Sequence, residues 1–448
     1  MKLFIAFFYL TGTAIIALAD TNIVWQHTYF SGENGTATAI LPTAHDGCII
    51  AGNMSTMNQY IFIAGLDMNG DTLFKWRYGK VNDLVQSIDT TSDGGYVLAG
   101  STRNNVAGES DVLIIKVDST GTIVWEKRFG GKATDFAEAI KTLPNDEFIV
   151  AGMTSSFGAQ RADGWLLKLN SKGDTIWTKR YHKYDLDMLY SVEPVGNQGF
   201  IAVGRVGKGY GVLRIATNGD TLWTRDYGIS SYAADICTRS DGNFIITGEK
   251  QKSSNDPASI WTLALNESGD TISSATHSSD TGWDAGYSTI SLRSGGFVVG
   301  GTVGGFAPGG YAICILFNST GNAIWNMQFG KIGNGPNIIY DMAEIDDTSF
   351  VVTGVLSEQI SSYSHKPKVW VAKIAYNNKP SAVHHKIPLK KVTIQTYDSN
   401  MPLRMYDLKG RTLHNVNRSI VSNHKQFANT GVYVIGKKGI RQSGVMLK

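Results

Sequence analysis

The residues that could do chemistry are few and scattered. Asp235 and Asp341 are carboxylates standing at a position that is otherwise small, mostly Ala or Ser, in a pattern running through the chain. Two carboxylates near one axis could serve as acid and base on a glycosidic bond. Trp283, in SSDTGWDAG, is the one Trp of ten outside a strand-like run, and a loop Trp can stack on a sugar or anchor a partner. Phe157, Arg161, Lys208, Tyr210, Phe306, Tyr363 and His365 fall in connecting segments and join it as candidate ligand-binding residues. The nine His form no His-x-x-x-His or His-x-His pair, and His384-His385 stands in a linker. Neither Cys-x-x-Cys nor Gly-x-Ser-x-Gly occurs. Leu66-Asp67-Met68-Asn69-Gly70-Asp71 resembles a calcium loop in part, but it is one copy of a recurring hairpin turn. The residues therefore point to no catalytic residue, no metal and no cofactor.

The elements that must position these residues repeat. In DLVQSIDTTSDGGYVLAGSTRNNVAGESDVLIIKVDSTGTIVWEKRFG (83–130) four strand-like runs alternate with turn signals. They are labelled A (QSIDTT), B (YVLAG), C (DVLIIKVD) and D (TIVWEKRF). The B run recurs seven times, as CIIAG, YVLAG, FIVAG, FIAVG, FIITG, FVVGG and FVVTG. The D run carries Trp25, Trp76, Trp125, Trp177, Trp223 and Trp325, with Ser273 in the remaining place. A period near fifty with four short strands predicts an all-β fold, a seven-bladed β-propeller.

The phase of the repeat adds closure. The first run, Ile23 to Phe30, is a D strand with nothing before it, and the last repeat lacks its D strand. Pairing the two would remove two exposed sheet edges. The A run repeats a small residue before an apolar one: Ala39-Ile40, Ser87-Ile88, Ala139-Ile140, Ser191-Val192, Asp235-Ile236, Ser288-Thr289 and Asp341-Met342. Small side chains inside and Trp outside fit blades that crowd at an axis. An Asp four residues before this slot (Asp83, Asp135, Asp187, Asp284; Asn337 in the last repeat) is expected to bond loop backbone. The A–B and C–D turns are short and alike. The D–A and B–C connections vary, share one face, and are where binding is expected; the long B–C segments are 153–163, 249–259 and 355–367. Trp283 has a structural alternative there, covering the gap left by Ser273.

Composition places the chain outside the cell. Lys2, the apolar run Leu3 to Ile16 and Ala17-Leu18-Ala19 read as a signal peptide (1–19) cleaved after Ala19. No later stretch is apolar enough for a transmembrane segment. Cys48, Cys237 and Cys314 are too few and too dispersed for a disulfide framework, and read as buried thiols. From 381 onward there are 12 Lys/Arg against 2 Asp/Glu in a chain of net charge +3, so the propeller region (20–376) is acidic and unsuited to nucleic acid.

After a linker (377–390), residues 391–448 read as a small β-sandwich-like module. Tyr406-Asp407-Leu408-Lys409-Gly410-Arg411, Gly431-Val432-Tyr433-Val434 and Met446-Leu447-Lys448 resemble the C-terminal sorting domains of type IX secretion. That resemblance implies passage across an outer membrane, with the secretion machinery as a partner, and frequent removal at the cell surface. The Asp-Gly-Gly…Ala-Gly and Gly-x-x-x-Trp repeats are similar to those of bacterial secreted propellers. VDSTGTIVW and LNSKGDTIW also resemble a hairpin of pyrroloquinoline-quinone propellers, without that family's eight blades or adjacent Cys pair. The expected role is a secreted or cell-surface binding or scaffold module for protein or glycan; the alternative is an extracellular polysaccharide-active enzyme using Asp235 and Asp341.

Overall fold

The computed structural model describes residues 23–376, apart from short stretches at 56–58, 81, 104–109, 160, 184–185, 208, 230, 252–255, 280–281, 306–309, 331–334 and 362–363. Beyond 376 it describes 404–406, 412–413, 433–436 and 444–446. The leader and the linker thus lie outside the described residues. Among the described residues no helix is long and apolar enough to cross a membrane.

Seven four-stranded antiparallel sheets follow one another, each in the order A-B-C-D. The A strands are Gly35–Pro42, Asp83–Thr90, Asp135–Thr142, Met188–Pro194, Ser231–Thr238, Ala285–Ser291 and Ile338–Asp346, defining blades 1 to 7. The seventh blade takes its D strand from the start of the chain: Ile23–Tyr29 pairs antiparallel with Ser364–Ala375, Tyr29 opposite Val369 and His27 opposite Val371. The seven-bladed ring and its closure therefore match the repeat count and phase.

No blade has a core of its own. Each of seven apolar clusters is shared between two neighbouring blades. One joins Ile49, Ile63 and Leu113 across blades 1 and 2. The closing one joins Tyr29, Phe30 and Ile50 to Val351 and Val371. An isolated sheet would leave both faces wet, so the ring is the smallest unit that buries them.

The A–B and C–D turns form as the sequence predicts. Gly94 donates to the Thr91 carbonyl, and Gly70 to that of Asp67. Asp67 Oδ1 accepts from the backbone N–H of Asn69 and Asp71, at 2.8 and 2.9 Å, so this carboxylate serves its own turn. Gly121 has φ +86°, and an added Cβ would lie 2.4 Å from the Trp76 ring of the preceding blade. Glycine is needed there for both reasons.

Two expectations need correction. Trp76 is not in the D-strand slot of blade 1. Phe74 holds it, opposite Gly65, as Trp177 stands opposite Lys168 in blade 3. Trp76 lies two residues on, on the same face, stacked on Phe74 with ring centres 4.1 Å apart. The segment 355–367 is also largely not a loop. Strands Ser349–Ser361 and Ser364–Ala375 extend as a hairpin, with Gln359 opposite His365 and Ser357 opposite Pro367.

In the unit 384–448, Arg404–Tyr406 pairs antiparallel with Thr412–Leu413 and with Tyr433–Gly436, which in turn pairs with Gly444–Met446.

Candidate site at the channel and the loop face

Each A strand carries one extra residue in its pairing with B. The register slips between Ala37 and Ala39, Val85 and Ser87, Ala137 and Ala139, and likewise in the other four blades. A β-bulge leaves one residue without a cross-strand partner and re-aims it. The seven bulge residues are Thr38, Gln86, Glu138, Tyr190, Ala234, Tyr287 and Tyr340, and all line a central channel of about 910 Å³. They fall in the first half of the A strand, towards the face where the D–A and B–C connections emerge.

The wall has two unlike halves. Blades 4 to 7 supply an arc of four tyrosines. Tyr190 and Tyr232 have ring centres 5.3 Å apart, tilted by 48°; Tyr287 and Tyr340 are 5.7 Å apart, tilted by 47°. Burial raises the pKa of all four phenols, so they remain protonated. Blades 1 to 3 supply Thr38, Gln86 and Glu138. Gln86 Nε2 donates to Glu138 at 3.2 Å, and burial pushes the Glu138 carboxyl up to about 7.

The small slot follows the bulge, and its polar members fasten blades together. Ile140 N–H donates to Ser87 Oγ at 3.2 Å, from blade 3 to blade 2. Asp235 accepts from Ser191 Oγ of blade 4 and Thr289 N–H of blade 6, both at 2.8 Å. Asp341 accepts Ile40 N–H at 2.8 Å and Ser288 Oγ at 3.2 Å, tying blade 7 to blades 1 and 6. Both carboxylates line the channel, as the sequence suggested, and both hold structural bonds there. Burial raises each, Asp341 to about 7. Two residues further on, Lys141 pairs with Glu193 at 2.6 Å. The nearby Glu193 carboxylate raises the Lys141 pKa against the cost of burial, so the ammonium stays charged.

Trp283 is 38% exposed on the loop face. Its indole N–H donates to Glu249 Oε2 at 2.6 Å, and its carbonyl accepts Gly305 N–H at 2.8 Å. It therefore clasps blade 5 to blade 6 and does not fill the gap at Ser273, which meets Gly321 of the next C–D turn at the other end of the strand. Phe157 is 54% exposed at φ +55°, its ring 5.8 Å from Trp165. Arg161 is exposed. His365 is the second residue of the C strand of blade 7, opposite Gln359. Tyr210 is not a loop residue. It lies fully buried in the C strand Gly209–Ile215 with its ring 4.3 Å from Trp261, because the connection before it is too tight to carry it outward. Lys208, Phe306 and Tyr363 lie outside the described residues.

The Asp at the head of the A strand in blades 2, 3, 4 and 6, with Asn337 in blade 7, serves its loops, as expected. Asp187 accepts Lys183 N–H at 2.6 Å and Gly207 N–H at 2.7 Å. Asp284 joins Ser279 to Gly304, and Asn337 accepts Ser357 N–H at 3.0 Å. Cys48 and Cys314 are free and buried; Cys237 is free and lines the channel. Among the described residues no group of three or more His, Cys, Asp or Glu could hold a metal.

Sequence reasoning missed the bulge ring and Glu249. The signal lay one place before each small slot, where Thr, Gln, Glu, Tyr, Ala, Tyr and Tyr stand in turn.

No protein-family model and no curated protein matches the chain. Solved structures similar to it include a protein of unknown function from Bacteroides caccae, at 13% identity and TM-score 0.42, over 66% of this chain and 94% of that one. A protein of unknown function from Dyadobacter fermentans aligns at 9% identity and TM-score 0.47, over 80% of this chain and 99% of the other. Sqt1 from Chaetomium thermophilum aligns at 10% identity and TM-score 0.46, over 80% and 100%. The fold assignment rests on the strand pairing itself, seven four-stranded blades closed by the first strand.

Proposed function

We propose that the chain is a non-catalytic recognition module that takes a protein or glycan at its D–A/B–C face. The observation carrying this reading is the tyrosine arc of blades 4 to 7, which lines the channel half nearest that face. Aromatic rings with phenol tips offer apolar contact and hydrogen bonds at low entropic cost, the combination that recognition surfaces favour. Trp283 and Phe157 add exposed rings on the same face. A catalytic role for Asp235 and Asp341 has less support, since both carboxylates already bond across blade seams. The leader 1–19, cleaved after Ala19, and the module 391–448 fit export and display at the outer surface, with the secretion machinery as the second partner.

The test is a glycan array and cell-surface pull-down with the full chain beside Trp283→Ala and Tyr287→Ala. Capture weakened at least about tenfold by either substitution supports the reading. Capture unchanged in both variants rejects this face.

A further inference from the structure

We propose that the tyrosine-walled half of the channel is a seat for an organic cation, an alkylammonium or quaternary ammonium group. The inference rests on the recognition reading above and specifies the chemistry of the group that enters.

The charge lining the channel sets the sign of the ligand. Among the described residues it comprises five carboxyls, Asp89, Glu138, Glu193, Asp235 and Asp341, against one cation, Lys141. Lys141 is engaged by Glu193. A phosphate, a sulfate or a uronate would find no unpaired cation among these residues.

The carboxyls are not equivalent. Asp89 accepts Thr142 N–H at 2.7 Å, and Asp235 and Asp341 accept backbone N–H groups from neighbouring blades. Glu138 differs, because its bond is to the uncharged Gln86 amide. It lines the channel part-buried, no cation among the described residues pairs with it, and desolvation pushes its carboxyl up to about 7. A part-buried carboxyl whose bond is to a neutral amide is the member of such a wall that gains most from an arriving cation.

The aromatic arc begins beside it. Glu138 and Tyr190 occupy the same bulge position in adjacent blades. The ring tilts of 48° and 47° approach the rotation of about 51° per blade that seven blades impose. Tyr rings attract cations through their negative faces, more strongly where water is excluded. A neutral sugar could use the arc but has no use for the charge of Glu138.

Isothermal titration of the full chain with tetramethylammonium chloride and butylammonium chloride tests the proposal, with sodium chloride and maltose as controls. Saturable binding of an ammonium is expected. Glu138→Gln should weaken it about tenfold and Tyr287→Leu severalfold, with circular dichroism unchanged. The proposal fails if folded wild-type protein binds neither ammonium, or if Glu138→Gln binds as well as wild type. Maltose bound in the channel and indifferent to Glu138→Gln would also overturn it while leaving the recognition reading intact. Partner capture that depends on Trp283, without ammonium binding, separates the two in the same way.

Discussion

The seam between blades 3 and 4 and the seam between blades 5 and 6 are fastened differently. At 3|4 the D strand reaches over the rim. Trp177 Nε1 donates to the Thr217 carbonyl at 3.1 Å, and Tyr181 Oη to that of Gly219 at 2.8 Å. The same pair of bonds is made by Trp25 and Tyr29 on blade 1. At 5|6 these two places hold Ser273 and His277, and His277 Nε2 is buried without a partner. The seam is secured elsewhere. Asp235 takes Thr289 N–H near the axis, Trp283 clasps the loop face, and Arg239 donates to the Ser319 and Gly295 carbonyls at 3.0 and 3.3 Å at the opposite face. Because the blades share their cores pairwise, a seam can lose one fastening if others bear it.

That comparison can be broken most severely at the axis. Asp235→Ala strands the Thr289 N–H and the Ser191 hydroxyl beside the channel. It should cost about 3 kcal/mol, read as a lowered midpoint in urea at constant slope. A change below about 0.5 kcal/mol would show that the axial bond is not what holds this seam. Next comes the rim. Trp177→Ala should cost about 2 kcal/mol, whereas Ser273→Ala should stay within about 0.5 kcal/mol. Equal effects at the two sites would erase the distinction between the seams.

The smallest expected effect is one of pH. Burial lowers the pKa of His277, so the folded state resists its protonation. The unfolded chain then binds more protons, and stability falls as pH drops through the ordinary His value near 6.5. His277→Tyr restores the residue type found at 3|4 and removes the titration. Thermal melts at pH 7 and pH 5 should show a smaller acid loss for the variant than for wild type, and identical losses would remove His277 from the account.

The blade count, the closing strand and the turn glycines were legible because each recurs, and recurrence fixes a slot without knowledge of contacts. Trp76 misled because blade 1 has aromatics two apart, at Phe74 and Trp76, which face the same side of a strand. The wall of the channel was harder to see. A bulge inserts one residue and breaks strict alternation, so Tyr190, Tyr287 and Tyr340 read as ordinary members of a strand. Gly-Lys-Gly at 207–209 reads as open and suggests a loop for Tyr210, while the Gly pair at 209 and 211 flanks a buried ring. Trp283 was visible as an exception to the repeat, but its partner Glu249 sits in another blade and no spacing announces it.

The pairing of Ile23–Tyr29 with Ser364–Ala375 has a kinetic consequence. The contact joins residues about 340 positions apart, so its loop-closure entropy must be met before the last shared core can form. During synthesis the first strand stays unmatched until the seventh blade has been made. The ring therefore cannot close until most of the chain has been made, which places its closure after the formation of the other six shared cores.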